Sequence, residues 1–194
     1  MIRDADATRA RLLAAARSEF AEHGIAGARV DRIAAAAKAN KAQIYHYFGS
    51  EDRLFDAVWE ALVRQIIKAA PIDPDDLAGF AARLAETYAA DPDLTRLITW
   101  QRLERGGDPP HDYAVHSTQG YIDAIARAQA GGAVPDRLDA PVLFALIIHI
   151  AALWEMTSPD VLAAVKPRTT GERQDIVRSA VAALLAPSGS PLPS

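Results

Sequence analysis

The segment Val30–Phe48 limits the possible fold more than any other part of the chain, because two short helical patterns flank a tight break. The first pattern repeats small and apolar residues at the i, i+3, i+4, i+7 spacing of one buried helix face. The second keeps only Ile44 and Phe48 apolar, four positions apart, so one face of that helix can be buried. Asn40 precedes it as an N-cap whose side-chain oxygen can accept from a free amide of the first turn. The segment therefore predicts a helix-turn-helix.

The outward face of the second helix is polar and aromatic, which is unusual for a face that only meets water. At about 100° per residue, Gln43 and Ala42 lie almost opposite the two apolar residues. Gln43 carries a carboxamide that can pair bidentately with an adenine edge, and Ala42 is small enough for close approach to a base. Side chains suited to phosphate contacts surround them, namely Lys41, Tyr45, His46 and Tyr47. This face predicts binding in a DNA major groove; the alternative is an ordinary surface of an all-α domain.

The same region resembles a known family of regulators. TRARLLAAARSEFAEHG at 8–24 and VDRIAAAAKANKAQIYHYFGSEDRLFDAV at 30–58 are similar to the N-terminal domain of TetR-family transcriptional repressors, with QIYHYFGSEDRLF the most specific part. The resemblance implies an all-helical homodimer in which three short helices read DNA and a larger C-terminal body senses a ligand. By position, it makes Gln43 a base contact and Lys41, Tyr45 and His46 contacts to phosphates or bases.

Some positions depart from the pattern of the family. Arg29 follows Ala28 where a hydroxyl residue commonly precedes the first helix of the motif, and we expect the Arg29 side chain to reach a phosphate or a guanine. Asp31 places an anion where DNA is often contacted, which is unfavourable unless it accepts from a cytosine amine. Glu51 and Asp52 stand where lysine is usual; they suit the helix N-terminus but lose a phosphate contact.

Helical patterns continue through the rest of the chain, and no alternating strand pattern or internal repeat occurs. We predict an all-α fold of about nine helices. A DNA-binding domain is expected at 6–50 with its motif at 29–48, a ligand-binding and dimerisation domain at 51–186, and a disordered tail at 187–194. Helices are predicted from Thr8 to His23, from Ser50 to about Ala69, and as one strongly apolar helix over Pro141–Met156.

Charge is divided unevenly along the 194 residues. Residues 1–55 carry a net charge of +2 and residues 56–194 a net charge of −6, which suits a protein that meets DNA with one end. The absence of cysteine excludes disulfides and thiolate metal sites. Neither a run long enough for a membrane span nor a signal-peptide core is found, so we expect a cytoplasmic protein with no cofactor.

The C-terminal body is expected to hold a mainly apolar pocket with a few polar anchors, suited to a small hydrophobic or aromatic effector. The candidate ligand-binding residues are aromatic or polar side chains in this part of the chain: Tyr88, Trp100, Glu104, Tyr121, His149 and Trp154. For each of them, a satisfied core or surface side chain is the competing interpretation.

The last predicted helix, from Thr170 to Ala186, carries a wide apolar stripe. We expect Val177, Val181 and Leu185, which recur every four residues, to form the dimer interface. The family resemblance implies that this helix and the preceding apolar one pair with their twofold mates. The alternative is an internal core helix of a monomer, which would present only one recognition helix to DNA.

These patterns predict a homodimeric, ligand-responsive repressor of a near-palindromic operator. Activation, or action through protein contacts without specific DNA binding, is the alternative. An enzyme is a third class, for which His111, Asp112 and His116 are the only metal-site candidates. Two histidines five residues apart do not share a helical face, and no phosphate loop, serine elbow or zinc-type motif occurs. We therefore expect neither catalysis nor a metal site.

Overall fold

The computed structural model describes residues 2–166 and 168–186, and every regular element in this part of the chain is helical. Eleven α-helices occur there, nine of them with seven or more residues, which confirms the predicted all-α fold. Within the same residues, no helix is both long and apolar enough to cross a membrane. The predicted disordered tail at 187–194 lies outside the described residues.

The helices follow one another with short connections. They are α1 (Ile2–His23), α2 (Val30–Ala36), α3 (Lys41–Phe48), α4 (Glu51–Ala69), α5 (Leu77–Ala90), α6 (Pro92–Arg105), α7 (Asp112–Ala130), α8 (Ala140–Ala151), α9 (Leu153–Met156), α10 (Pro159–Ala164) and α11 (Thr170–Leu185), with a 3₁₀ turn at Pro74–Asp76. α1 begins earlier than the predicted Thr8, and α10 was not predicted.

The helix predicted over Pro141–Met156 is divided in the structure. α8 ends at Ala151, and Ala152 separates it from the short α9. The Ala152 N–H still donates to the Ile148 carbonyl at 3.1 Å, so the interruption between the two helices is limited to one residue. The sequence did not indicate this break, because neither glycine nor proline interrupts the apolar run there.

The chain divides into two compact units, and the division differs from the predicted boundary at residue 50. The first unit comprises residues 2–64 and 93–111, and the second comprises residues 65–92 and 112–186 of the described chain. α6 therefore belongs to the unit that contains the helix-turn-helix. The predicted boundary placed α6 in the ligand-binding domain. Local sequence patterns could not correct this, because they do not show that a later helix packs on an earlier segment.

The core of the first unit consists of apolar side chains with no exposed surface. They come from α1, α2, α3, α4 and α6 and include Leu12, Phe20, Ile33, Ile44, Leu54, Phe55, Leu94 and Leu97. The rings of Phe20 and Phe55 meet edge to face with centroids 5.3 Å apart. α1, α4 and α6 thus share one hydrophobic core with the two helices of the helix-turn-helix.

The turn after α1 depends on glycine. Gly24 has a φ of +76°, in the left-handed region, and its N–H donates to the Phe20 carbonyl at 3.0 Å. A Cβ at this position would lie 2.6 Å from a carboxylate oxygen of Glu104 and 3.1 Å from the ring of Trp100. The backbone conformation and the close approach of the Trp100 ring therefore both disfavour a larger residue.

The second unit is centred on α5, which packs against α8 and α11. Its buried apolar side chains include Phe80, Leu84, Tyr88, Leu143, Ile147, Val177 and Val181. The ring of Tyr121 on α7 meets Phe80 at a centroid distance of 5.8 Å and Phe144 at 5.7 Å. α11 is thus a core helix of one chain along its α5 face.

The prediction that Val177 and Val181 form the dimer interface is wrong. Both side chains are 0% exposed within a single chain, and a side chain without exposed surface cannot touch a second copy. The alternative considered for this helix, an internal core helix, holds at these two positions. Leu185, the third predicted interface residue, is half-buried and keeps some surface.

Candidate nucleic-acid interface

α3 has one buried face and one open face. Ile44 is 0% exposed and Phe48 is 7% exposed, as their spacing predicts. The predicted contact residues lie on or beside the open face: Lys41, Ala42, Tyr45 and His46 are exposed, and Gln43 and Tyr47 are half-buried. An α-helix fits the B-DNA major groove, so this face has the size and chemistry to enter it.

A capping box begins α3. The Asn40 side-chain oxygen accepts from the Gln43 backbone N–H at 2.9 Å, and the Gln43 side-chain oxygen accepts from the Asn40 backbone N–H at 3.0 Å. Side chains therefore satisfy two backbone donors at this helix N-terminus, and the Gln43 N–H also lies 3.1 Å from the Asn40 carbonyl oxygen. The predicted N-cap at Asn40 is confirmed, and the box fixes where the first turn of α3 begins.

The turn between α2 and α3 places a lysine in an unfavourable conformation. Lys38 has a φ of +50°, a region that normally favours glycine. Its N–H donates to the Ala35 carbonyl at 3.1 Å, and the Ala39 N–H donates to the Ala34 carbonyl at 2.9 Å. This is the bonding of a Schellman motif with lysine at its left-handed position, at a cost of roughly 1–2 kcal/mol. The ammonium group of Lys38 is an exposed cation at this turn.

Glu19 of α1 accepts a hydrogen bond at the N-terminus of α2, which has no side-chain cap of its own. Arg29, the N-cap residue, makes no side-chain capping bond, but its backbone N–H donates to Glu19 Oε1 at 2.8 Å. Arg32 Nε donates to the same oxygen at 2.7 Å. Arg29 therefore keeps an exposed side chain that is not used in capping. Sequence reasoning missed Glu19, because its partners lie ten or more residues away.

Removing the charge of Glu19 should weaken the start of α2. Burial alone would raise the pKa of Glu19, but the bonds from Arg32 and from the Arg29 backbone hold the pKa below its usual value. Its contribution to stability is thus present above the usual pKa and lost as pH falls through the folded one. We expect Glu19→Gln to lower the thermal midpoint at neutral pH by roughly 2–4 °C. The difference from the unsubstituted protein should shrink in acid; an unchanged difference in acid would contradict this role.

Acidic side chains moderate the charge around α3. Lys41 Nζ lies 3.5 Å from Asp31 Oδ1, and both side chains are largely exposed. Burial and the neighbouring Asp52 raise the pKa of Glu51, while Lys41 opposes the rise. Asp52 itself bonds to Arg105 of α6, whose guanidinium also lies over the ring of Phe55. Asp52 therefore has a structural partner within the first unit.

Arg9 of α1 is a contact candidate that the sequence did not indicate. Its guanidinium carbon lies 5.2 Å from the ring centroid of Phe48, the last residue of α3, and the Arg9 side chain is exposed. A cation is thus held at the C-terminal end of the recognition helix. Thirty-nine positions separate the two residues, so only the folded unit shows their proximity.

The six predicted ligand-binding residues are divided between the two units. Trp100 and Glu104 belong to the first unit, where Trp100 Nε1 donates to the Ala21 carbonyl at 3.3 Å and Glu104 Oε2 accepts from the Ala26 N–H at 2.7 Å. Their polar groups hold the turn after α1. His149 in the second unit is exposed, with its Nδ1 2.7 Å from the Ala145 carbonyl oxygen of its own helix.

The remaining three candidates are side chains of the second unit. Tyr121 donates to the Ala70 carbonyl at 3.4 Å. Burial raises the pKa of Tyr88 to about 12, and the nearby carboxylate of Glu155 adds to the rise. Among the described residues, Trp154 Nε1 and Glu155 Oε2 are buried without a hydrogen-bond partner. Burial also raises the pKa of Glu155, while Arg173, whose guanidinium carbon lies 5.4 Å from the Trp154 ring centroid, lowers it.

The structure places His111, one of the metal-site candidates, beside Asp56 and Trp59. His111 Nδ1 lies 3.8 Å from Asp56 Oδ1, and its ring lies 6.1 Å from that of Trp59. Within residues 2–166 and 168–186, no group of three or more His, Asp or Glu side chains is arranged to hold a metal ion.

The fold and the open face of α3 define a helix-turn-helix DNA-binding protein. Residues 12–58 match the family model described as bacterial regulatory proteins of the tetR family, and residues 76–183 match the tetracyclin repressor-like C-terminal domain. The chain belongs to the TetR family of transcriptional regulators. These matches indicate a regulator of transcription and not an enzyme.

Individual relatives agree with the family. The chain is 41% identical over 161 residues to the HTH-type transcriptional repressor SCO4008 of Streptomyces coelicolor, covering 81% of this chain and 82% of that protein. It is 31% identical over 109 residues to the HTH-type transcriptional repressor NicS of Pseudomonas putida, covering 53% and 51%. The crystal structure of the regulator SCO4942 from Streptomyces coelicolor superimposes with a TM-score of 0.82 at 37% identity, over 96% of this chain and 99% of that one.

Proposed function

We propose that this TetR-family protein is a homodimeric repressor that binds a near-palindromic DNA operator and is released by a small hydrophobic or aromatic effector. The observation that carries the proposal is the open face of α3. Its side chains combine a cation, aromatic hydroxyls and small or polar groups, while Ile44 and Phe48 anchor the opposite face in the first unit. A helix that is anchored by its buried side and exposes such a face is suited to contacting base edges.

The homodimer is supported by an exposed apolar stripe on α8 and α9. Val142, Leu146, Leu153 and Met156 are each 39–45% exposed, and with His149 they recur at alternating spacings of four and three residues. The opposite face of α8 is buried in its own chain through residues such as Leu143 and Ile147. Contiguous exposed apolar surface of this kind is typical of an interaction site, and a stripe that is apolar can pair with its own copy. We place the dimer interface on this stripe.

The effector is supported by the unpaired polar atoms of the second unit. A buried donor or acceptor without a partner costs roughly 1–3 kcal/mol. A small molecule that accepts from Trp154 Nε1 and donates to the Glu155 carboxyl would remove that cost, and the aromatic rings of Trp154 and Tyr88 would favour an apolar or aromatic body. Release of DNA then requires that the effector prefer the state with the lower DNA affinity.

Selection from randomised duplex DNA tests the DNA-binding part of the proposal. The full chain should enrich a site with twofold symmetry, whose half-sites are separated by about one helical turn or a multiple of it. Enrichment of an unsymmetrical site would contradict the homodimer. No enrichment over random DNA would contradict operator binding and favour action through protein contacts. A reporter gene behind the selected site then distinguishes repression from activation.

Substitutions at the Lys41–Asp31 pair should change affinity for all sequences alike. Lys41→Ala should reduce the slope of log affinity against log salt by about one unit per protomer, because one phosphate contact is lost. Asp31→Asn should strengthen binding to selected and random duplexes equally, since it removes an anion 3.5 Å from the Lys41 ammonium. Fluorescence anisotropy at several salt concentrations measures both effects. A loss confined to the selected site would make Lys41 a base contact instead.

A further inference from the structure

The capping box determines which end of the Gln43 side chain is available. A backbone N–H can only donate, so the carboxamide atom that lies 3.0 Å from the Asn40 nitrogen must be the oxygen. The amide nitrogen Nε2 is therefore the opposite end, and it makes no hydrogen bond within the described residues. Gln43 is half-buried at the first turn of α3, and its partner Asn40 is exposed.

Bidentate recognition of adenine does not fit this arrangement. It requires the carboxamide oxygen and nitrogen to face the N6 and N7 edge of the base together. The closed box turns the oxygen towards the backbone of its own chain and occupies one of its two lone pairs, so the two hydrogens of Nε2 are the groups directed away from that backbone. Opening the box would leave the Asn40 N–H without its protein partner at the helix N-terminus.

We propose that Gln43 reads DNA with the capping box closed, as a donor-only side chain that selects a guanine. Guanine presents two adjacent acceptors in the major groove, N7 and O6, and the Nε2 hydrogens match both. Cytosine, which offers a donor there, is disfavoured. This inference rests on the proposed DNA-binding function and corrects the prediction of an adenine contact from the residue type alone.

Two substitutions separate capping from reading. Gln43→Glu keeps an acceptor for the Asn40 N–H but replaces the outward NH₂ by an oxygen, so the preferred partner should become the cytosine amine. Gln43→Met has a similar length and lacks both groups, so preference at this base pair should disappear. Gln119→Glu on α7 is the control, because it makes the same change of charge at an exposed residue of the second unit.

Selection from a randomised duplex library with the full chain and these variants tests the proposal. We expect the original chain to enrich guanine at one base pair per half-site, with roughly fivefold weaker binding when that pair is changed to A·T. Gln43→Glu should enrich cytosine at the same pair, Gln43→Met should show no preference there, and Gln119→Glu should select the original site. Adenine at that pair would overturn the inference while leaving the DNA-binding function intact. A chain that enriches no site would overturn the proposed function itself.

Hydrogen exchange of the Asn40 amide gives a second readout that does not depend on which base is selected. With the box closed in the complex, this amide should exchange no faster on the selected duplex than in the free protein. Faster exchange on the duplex would show that the box opens to release the oxygen, and would overturn the inference. Gln43→Met should exchange faster than Gln43→Glu in the free protein, because only glutamate replaces the acceptor.

Discussion

Val181→Asp is expected to unfold the second unit instead of separating two folded copies. Val181 is 0% exposed on α11, which packs on α5, so the substitution places a carboxylate in a core without a partner. An uncompensated buried charge costs several kcal/mol, a large fraction of the 5–15 kcal/mol that stabilises a typical domain. Circular dichroism should show loss of helix or a thermal midpoint lowered by ten degrees or more.

Ala182→Asp is the matched control for Val181→Asp. It introduces the same charge one residue further along α11, at an exposed position. We expect it to retain a cooperative transition close to that of the unsubstituted protein. A Val181→Asp chain that stays folded and sediments as a monomer would restore Val181 to a dimer interface and contradict its place in the core.

Leu146→Asp is expected to leave the protomer folded and to abolish specific DNA binding. Leu146 is 39% exposed on α8, so the aspartate meets water in a single chain but would be buried against a second copy in the proposed dimer. Sedimentation should report a monomer. Affinity for the selected operator should fall by about 10³-fold or more, to the level of random DNA, because one recognition helix alone gives little specificity.

Val115→Asp controls for the loss of an apolar surface residue. Val115 is 48% exposed on α7 and is not a member of the stripe on α8 and α9. Its substitution should leave both the sedimentation of the dimer and the operator affinity unchanged. If Leu146→Asp still sediments as a dimer and binds normally, the interface does not lie on the stripe of α8 and α9.

The recognition helix was predictable because its determinants are local. The spacing of Ile44 and Phe48 defines the inward direction through helix geometry alone, and an asparagine before a helical pattern is a reliable N-cap signal. The chemistry of Gln43 was less predictable. Its residue type indicates a base contact, but the direction of its oxygen depends on a hydrogen bond that only the folded turn shows.

The non-local features could not be derived from sequence patterns. An apolar stripe such as that of α11 looks the same whether it faces its own core or a second copy, and the structure assigns Val177 and Val181 to the core. Trp100 and Glu104 were expected to bind a ligand because aromatic and acidic residues are common in pockets. Their hydrogen bonds to the turn after α1 join positions nearly eighty residues apart, and no periodic sequence pattern indicates such a long-range contact.

The discontinuity of the first unit affects how new DNA specificities can arise in such proteins. Leu94 and Leu97, together with the contacts of Trp100 and Glu104, belong to the unit that contains the helix-turn-helix. Joining residues 1–64 to an unrelated body would leave Phe55 without the guanidinium of Arg105 and the Gly24 turn without Trp100 and Glu104. The helix-turn-helix therefore depends for its packing on the segment that follows α5. We expect its operator preference to be changed with less loss of stability by point substitutions on the open face of α3 than by exchange of the N-terminus as a block.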